Sequence, residues 1–174
     1  MGRHIFEFVK TLILAIAIAF LITAFFKPTL VKGYSMYPTI QPNNFIIVNK
    51  IPYMYGEPKF EDVIVFKAKV AIENNQEKEL IKRVIGVAGD KIRVSGGKVY
   101  RNGEALTEPY TYGGETPGDM AEVTVSAGHI FVMGDNRPVS LDSRDSRLGE
   151  VTTDNVMGRA DLRLFPFDEI GLLN

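Results

Sequence analysis

The chain begins with one long apolar segment, and short apolar runs separated by polar turns follow it. Residues 11–26 carry no charge, and Lys10 and Lys27 bound them. The segment is slightly shorter than the roughly 17 to 25 residues of a typical membrane helix, but lysines at its ends can reach toward the membrane surface. We therefore predict a short N-terminal tail over residues 1–10 and a transmembrane helix over residues 11–27.

A cleaved secretion signal is the alternative interpretation of this segment. Such a signal also has a positive start and an apolar middle, but a small-x-small cleavage motif should follow its apolar core. Here the bulky Phe25 and Phe26 occupy that place, followed by Lys27 and Pro28, which favours a retained helix. Positive charges flank the segment on both sides, so charge alone does not fix the topology.

The remaining residues, 28–174, contain short runs of β-branched and aromatic side chains that are typical of strands. These runs lie at residues 45–48, 63–66, 80–81 with 84–85, 92–94, 122–125 and 130–133. Asn102 and Gly103 are the strongest hairpin signal, because both tolerate the positive φ of a type I′ turn. Residues 73–79 form a charged connection. The pattern predicts an all-β, mostly antiparallel domain after the helix.

Composition excludes several classes of function. Lys and Arg total 20 against 21 Asp and Glu, so there is no basic excess to bind a nucleic acid. The absence of Cys excludes disulfides and thiolate chemistry. The two histidines, His4 and His129, are far apart and have no carboxylate at ligand spacing. We therefore expect no metal site and no cofactor, and we interpret His129 as a strand residue.

A serine and a lysine are the candidate catalytic pair. Ser35 follows the apolar segment closely, and a serine hydroxyl needs a neighbouring base to become a nucleophile. Without a suitable histidine, that base is a carboxylate or an unprotonated lysine, and Lys82 is the best-placed candidate. In a strand, Lys82 shares a face with Leu80, and this apolar face would lower the pKa of the ammonium by desolvation.

Four segments resemble, in the same order, the motifs of the bacterial type I signal peptidases. Residues 35–39 (Ser-Met-Tyr-Pro-Thr) match the Ser-Met-x-Pro-Thr motif of that family. Residues 62–66, 82–90 and 134–144 resemble its strand, lysine and final motifs. The family consists of membrane-bound serine proteases, peptidase family S26, that remove signal peptides from exported preproteins. The connection between Asn102 and Pro138 is short, which resembles the compact members of the family.

The resemblance implies a role for each matching residue. Ser35 corresponds to the nucleophile and Lys82 to the general base. The residues that correspond to supports of the site are Ser140, which orients the ammonium, and Asp142, Arg144 and Arg83. Arg137 is left as a structural residue. Asp135 and Asn136 are expected to form a turn, since Asx side chains bond to nearby backbone.

The oxyanion site departs from the pattern of some family members. The backbone N–H of Ser35 is one expected donor. Some members have a hydroxyl residue two positions earlier, where this chain has Gly33. A backbone group or a water molecule must therefore act as the second donor.

The family binds its preprotein as an extended strand, which here lies between residues 29–33 and residues 79–82. The resemblance predicts small side chains at substrate positions −1 and −3. The apolar residues predicted to line these pockets are Val31, Met36, Leu80 and Ile81.

These observations predict a single-pass protein of the cell membrane, with its catalytic domain on the extracytoplasmic side. Its partners would be preprotein signal peptides and the lipid bilayer, with no nucleic acid; the sequence predicts no oligomeric state. A first alternative is the class of self-cleaving repressors of the DNA-damage response, which share the Ser/Lys pair but carry a DNA-binding domain. A second alternative is a membrane-tethered β module that holds exported chains without cutting them.

Overall fold

A computed structural model of the chain describes residues 2–69 and 77–173. The helices in these ranges are α1 (Gly2–Phe25) and α2 (Pro52–Tyr55). The strands are β1 (Phe26–Leu30), β2 (Phe45–Asn49), β3 (Val63–Lys69), β4 (Glu77–Val87), β5 (Lys91–Ser95), β6 (Lys98–Arg101), β7 (Glu104–Ala105), β8 (Met120–Thr124), β9 (His129–Met133), β10 (Val151–Thr152), β11 (Val156–Phe165) and β12 (Gly171–Leu172). Short 3₁₀ turns occupy Thr153–Asn155 and Phe167–Glu169.

Helix α1 is apolar, fully exposed and long enough to cross a membrane. It begins at Gly2, so the segment expected as an N-terminal tail over residues 1–10 is helical from its second residue. The reason is that Ile5, Phe6, Phe8 and Val9 extend the apolar sequence toward the N-terminus. Strand β1 starts immediately after α1. The helix therefore leads directly into the β structure.

The strands form two antiparallel sheets. The larger sheet has the order β1-β2-β11-β3-β4-β9-β10, and β12 pairs with β11. The smaller sheet has the order β7-β6-β5-β8. The expected mostly antiparallel β fold with one N-terminal apolar helix is confirmed.

Strands β3 and β4 contribute to more than one part of the core, because successive side chains of a strand point to opposite faces of the sheet. Val63 and Val65 pack in a cluster beneath the segment that carries Ser35, whereas Ile64 and Phe66 pack in a second cluster on the other face. A third cluster, which includes Ile85, packs against the smaller sheet. This burial on both faces fixes the register of β3 against β4.

The predicted strands are all present, with boundaries that differ by a few residues. The hairpin at Asn102 and Gly103 is also confirmed, since their φ values are 55° and 87° and they join β6 to β7. Strand β11, which lies between β2 and β3, was not predicted. Within the predicted charged connection, residues 73–76 lie outside the described residues and residues 77–79 belong to β4.

Candidate active site

The turn that follows β1 carries Ser35. Met36 has no exposed surface and fixes this turn to the core, and its carbonyl accepts a hydrogen bond from the N–H of Ile40 at 2.8 Å. The carbonyl of Ser35 accepts a hydrogen bond from the N–H of Asn136 at 2.9 Å. The backbone of the serine turn is therefore held from two sides, while Ser35 itself stays partly exposed.

Lys82 reaches Ser35 from strand β4. Its Nζ lies 2.7 Å from Ser35 Oγ and 3.1 Å from the carbonyl oxygen of Ile81. Lys82 stands opposite Ile64 in the β3–β4 register, and only 3% of its surface is exposed. The structure thus brings together the two residues predicted as nucleophile and base, 47 positions apart in sequence.

Burial changes the acid–base behaviour of Lys82. Desolvation of the ammonium lowers the pKa of Lys82 to about 8, from 10.5 for an ordinary lysine. The carboxylates of Asp142 and Asp135 act in the opposite direction and raise this pKa, but their effect is smaller. A useful fraction of the lysine is then neutral near pH 8, as a general base requires.

Arg83, the neighbour of the lysine, forms a buried ion pair. Its Nε and Nη2 donate to the two oxygens of Asp135 at 2.9 and 2.8 Å. Thr39 donates to the same carboxylate at 2.5 Å, and the guanidinium lies 4.0 Å from the ring centroid of Tyr110. Arg83 was expected beside the base. Asp135 lies in a bend at the start of the final motif, as expected, but its carboxylate pairs with Arg83 and not with nearby backbone.

Asn136 was also expected only to form a turn, and it has a second role. Its Nδ2 donates to the carbonyl of Tyr34 at 3.2 Å, and its backbone N–H donates to Ser35. Asn136 thereby connects the final motif to the serine turn. Its position directly after Asp135 in that motif was the only signal in the sequence, and propensity alone could not reveal the contact.

Asp142 and Arg144 form a second partly shielded pair. Asp142, fully buried, accepts from Nε and Nη2 of Arg144 at 2.8 and 2.9 Å and from the N–H of Gly134 at 3.1 Å. Arg144 also donates to the carbonyl of Arg137 at 2.8 Å. The pair therefore fixes the backbone of the final motif, and this motif contacts Ser35 through Asn136. Arg137 is buried and bonds to Glu108 and Thr116, which fits the structural role expected for it.

Ser140 lies near the backbone of Ser35, with Gly134 between them, but it makes no hydrogen bond to Lys82. Among the described residues its Oγ is buried and has no hydrogen-bond partner. A buried hydroxyl without a partner is unusual. The orienting role expected for Ser140 stays a prediction.

Gly134 separates Ser140 from the Ser35 backbone. A Cβ atom at this position would lie closer than 3.0 Å to Ser140 Oγ and to the carbonyl oxygen of Ser35. Only a residue without a side chain fits there. The contact between the final motif and the serine turn depends on this glycine.

We expect Gly134→Ala to lower catalytic efficiency by about 10²-fold, because a shift of about 1 Å at a reacting group is enough for such a loss. Gly171→Ala is the matched control, since a Cβ atom there would meet nothing within 4 Å. Steady-state cleavage kinetics of the two variants measure the effect. Equal activity of both variants would contradict the role of this close approach.

The oxyanion position is open on the side of the serine turn. In the described part of the chain, the N–H of Ser35 donates no hydrogen bond within the protein, so it is available to a ligand. A Cβ atom at Gly33 would meet nothing within 4 Å. A side chain at position 33 therefore fits without displacing its neighbours.

The four residues predicted to line substrate pockets divide between two clusters. Val31, Met36 and Ile81 pack in the cluster beneath the serine turn, whereas Leu80 packs on the opposite side of β4. Met36 has no exposed surface, while Leu80 and Ile81 are partly buried. Val31 and Ile81 thus pack in one cluster with Met36, the residue that follows Ser35.

The described residues contain no group of three or more His, Cys, Asp or Glu side chains that could hold a metal ion. His129 lies in β9, as expected, and its Nδ1 is 2.9 Å from the carbonyl oxygen of Ala127. Imidazole therefore has no contact with Ser35 in the part of the chain that the structure describes.

Comparison with known proteins gives one consistent result. The family described as "Signal peptidase, peptidase S26" matches residues 5–165. Signal peptidase I of Bacillus licheniformis is 36% identical over 178 residues, covering 97% of this chain and 92% of that protein. Signal peptidase I of Bacillus caldolyticus is 38% identical over 157 residues, covering 83% of this chain and 82% of that protein.

A solved structure agrees with these relatives. The crystal structure of a signal peptidase I from Enterococcus faecalis matches with a TM-score of 0.50 and 28% sequence identity. It covers 59% of this chain and 96% of that chain. The resemblance found in the four motifs therefore extends to nearly the whole sequence and to the β fold.

Proposed function

The chain belongs to the signal peptidase family, peptidase S26, and from this premise we propose that it removes N-terminal signal peptides from exported preproteins by Ser/Lys catalysis. The observation that carries the proposal is the 2.7 Å contact between Lys82 Nζ and Ser35 Oγ. The depressed pKa of Lys82, about 8, supports it.

The proposed reaction begins with neutral Lys82. It takes the proton of Ser35 as Oγ attacks the scissile carbonyl carbon, and the oxyanion accepts a hydrogen bond from the N–H of Ser35. The Lys82 ammonium then donates its proton to the leaving amine, and an ester between Ser35 and the signal peptide remains. Lys82 finally removes a proton from water, which hydrolyses the ester and restores the serine.

The surrounding residues keep this pair in place. We assign Ser140 to orienting the Lys82 ammonium, because its buried hydroxyl has no hydrogen-bond partner among the described residues and is free to accept one. Asp142 and Arg144 fix the backbone of the final motif, and Asn136 of this motif donates a hydrogen bond to the carbonyl of Ser35. Arg83 holds the carboxylate of Asp135, and this carboxylate accepts a hydrogen bond from the turn residue Thr39.

The substrate would bind as an extended strand between the end of β1 and the start of the lysine motif. Main-chain pairing on both sides supplies affinity, and the shallow apolar surface of Val31 and Ile81 selects small side chains. Met36 lies in the core below this surface, and Leu80 supports β4 from its other face.

Cleavage of a synthetic preprotein with Ala at −1 and −3 tests the function. We expect cleavage at one bond after −1, and a loss of about 10²-fold or more when either Ala becomes Phe or Asp, through steric exclusion or burial of an unpaired charge. Product masses identify the cut bond. Equal turnover of the Ala and Phe substrates would contradict the proposed groove, and no cleavage would contradict the function.

Membrane attachment is part of the proposal. Helix α1 is long and apolar enough to span a bilayer, and β1 follows it directly. We propose that α1 spans the cell membrane once and that the β domain lies on the extracytoplasmic side, where translocated signal peptides arrive. Digestion of sealed right-side-out and inverted vesicles with an added protease measures this orientation, and protection of the β domain in right-side-out vesicles would contradict it.

Gly33 gives a prediction about the oxyanion. The space around its Cβ position is open, so Gly33→Ser fits and supplies a hydroxyl donor. Because one such donor is typically worth about 10²- to 10³-fold in kcat when removed, we expect Gly33→Ser to raise kcat by up to about 10²-fold. Gly33→Ala is the matched control, since it fits equally well but donates nothing. Equal kcat values of the two variants would show that the second donor is already present.

A further inference from the structure

An ion pair crosses the groove between β1 and β4 at the end nearest α1. Lys27 Nζ on β1 lies 2.5 Å from Glu79 Oε1 on β4. We call this pair the charged rung. The two strands are not hydrogen-bonded neighbours in the sheet, so the side chains span the gap between them.

The charged rung lies on the same face of the groove as Val31 and Ile81, the surface that we propose selects small substrate side chains. Lys27, Thr29 and Val31 alternate along the chain and share one face, and Glu79 and Ile81 do the same on β4. Val31 and Ile81 pack in one cluster, which fixes this face as the floor of the groove. The floor therefore changes from apolar near Ser35 to charged near the membrane helix.

Two further polar groups belong to the membrane end of the floor. The Oγ1 of Thr29 is buried and has no hydrogen-bond partner among the residues described. Lys67 stands directly opposite Glu79 in the β3–β4 register and is exposed. The charged rung is thus flanked by an unsatisfied hydroxyl and by a second positive charge.

The distance along the groove identifies the substrate residue that meets the charged rung. Glu79 precedes Lys82 by three residues and Lys27 precedes Gly33 by six. At about 3.3 Å per residue, the rung lies about 10 to 20 Å from the cleavage point. Side chains of an extended substrate alternate, so −1, −3 and −5 point to the same floor, and −5 falls within this distance.

We propose that Lys27 and Glu79, together with Thr29, form a polar subsite for the substrate side chain at −5, which rejects large apolar side chains there. This inference rests on the proposed function. A polar side chain at −5 can bond to the hydroxyl or to either charge, whereas a large apolar one shields the charges from water without replacing their hydrogen bonds. The charged rung therefore fixes how closely the apolar part of a signal peptide may approach the cleaved bond.

The exposed side chains of the charged rung favour a role in substrate selection over a role in stabilising the fold. The side chains of Lys27 and Glu79 are 33% and 40% exposed, and ion pairs of this kind contribute little to stability. They can also separate to admit a strand at little cost. Replacing them should change selectivity while the fold persists.

The test uses the full-length protein in detergent micelles and two preprotein peptides that differ only at −5, where one has Ser and the other Leu. We expect wild-type kcat/KM to favour the Ser peptide about tenfold, and Lys27→Met/Glu79→Leu to reduce this ratio to about one. The swapped variant Lys27→Glu/Glu79→Lys keeps both charges and should keep the preference. Because each result is a ratio within one protein, partial loss of folded enzyme does not affect it.

A second ion pair provides the matched control. Lys91 and Glu122 lie 3.9 Å apart on the smaller sheet, with side chains 58% and 46% exposed. Lys91→Met/Glu122→Leu should leave both activity and the ratio unchanged. A ratio near one in the wild type, or an unchanged preference in Lys27→Met/Glu79→Leu, would overturn the subsite while cleavage of the Ser peptide upholds the proposed function. If the wild type cleaved neither peptide, both would be wrong.

Discussion

Replacing Ser35 by alanine should lower kcat/KM for preprotein cleavage by at least about 10³-fold, since only positioning and oxyanion contacts remain when a nucleophile is removed. The fold should persist. The lost hydroxyl is partly exposed and accepts one hydrogen bond, from Lys82, which is worth about 1 kcal/mol of stability. Cleavage of a purified preprotein and circular dichroism of the same sample measure the two effects.

Two further serine variants sharpen this result. Ser95→Ala, on β5 of the smaller sheet, is the matched control and should retain wild-type activity. Ser35→Cys should retain a low turnover that thiol reagents abolish, because the chain has no other cysteine. Cleavage by Ser35→Ala within tenfold of the wild type would rule out Ser35 as the nucleophile.

The strands that carry the site could be predicted because the burial of their side chains matches a simple sequence pattern. In β3, each of the residues Val63 to Phe66 is buried, and a continuous apolar run is the expected signature of a strand covered on both faces. In the hairpin of β6 and β7, Asn102 and Gly103 adopt the positive φ that their types allow. Local chemistry and tertiary structure agree at these positions.

Strand β11 could not be predicted for the opposite reason. It lies between β2 and β3, yet its sequence includes Gly158, Arg159 and Asp161. A Cβ atom at Gly158 would come within 3.0 Å of the carbonyl oxygen of Asn49, so close backbone approach explains the glycine. Asp161 accepts a hydrogen bond from Asn49 Nδ2 at 2.7 Å, and Arg159 Nη1 lies 3.5 Å from Asp62 Oδ1. These features depend on strands distant in sequence, so no local pattern contains them.

The site residues also divide into those that local sequence patterns predict and those whose contacts depend on distant segments. The alternation of β4 and the family motifs indicated Ser35 and Lys82, and the structure brings these two residues within 2.7 Å. The partnership of Asp135 with Arg83 and the bond from Asn136 to Ser35 join segments about 50 and 100 residues apart. Turn propensity accounts for neither contact, because both arise only when the final motif packs against the serine turn.

The pH profile of kcat/KM should have a rising limb with an apparent pKa of about 8, which reports the deprotonation of Lys82. Because the base must be neutral, kcat/KM should increase as the pH rises through this value, and it should decrease at lower pH, where Lys82 is protonated. Lys82→Arg should be inactive at every pH tested, because a guanidinium stays protonated throughout this range. Initial rates between pH 5 and pH 11 measure the profile. A rising limb in the carboxylate range, or substantial activity of Lys82→Arg, would assign the base elsewhere.

The carboxylates near Lys82 provide a directional test. Asp142 raises the pKa of Lys82 in the folded protein, so Asp142→Asn should move the rising limb to lower pH. Asp145→Asn is the control, since this exposed carboxylate pairs with Arg147 and is not among the groups that shift Lys82. Its profile should match the wild type. A limb that moves to higher pH in Asp142→Asn would contradict the electrostatic account.

The same shift predicts how stability depends on pH. The pKa of Lys82 is about 8 in the folded protein and 10.5 for an ordinary lysine. Between these values the unfolded chain holds a proton that the folded protein has released. The free energy of unfolding therefore rises as pH increases from 8 to 10.5, and burial of the charge destabilises the fold fully below pH 8. The difference amounts to about 3 kcal/mol, at about 1.36 kcal/mol for each pKa unit.

Lys82→Met removes this dependence, because methionine has a similar length and no charge. The quantity to compare is the free energy of unfolding of the variant minus that of the wild type. We expect this difference to be about 3 kcal/mol larger at pH 6 than at pH 11. Urea unfolding of both proteins in the same micelles measures this difference, and the other titrating groups cancel because both proteins share them. A constant difference across the range would mean that the ammonium of Lys82 is not desolvated, and a general base at that position would then lose its physical basis.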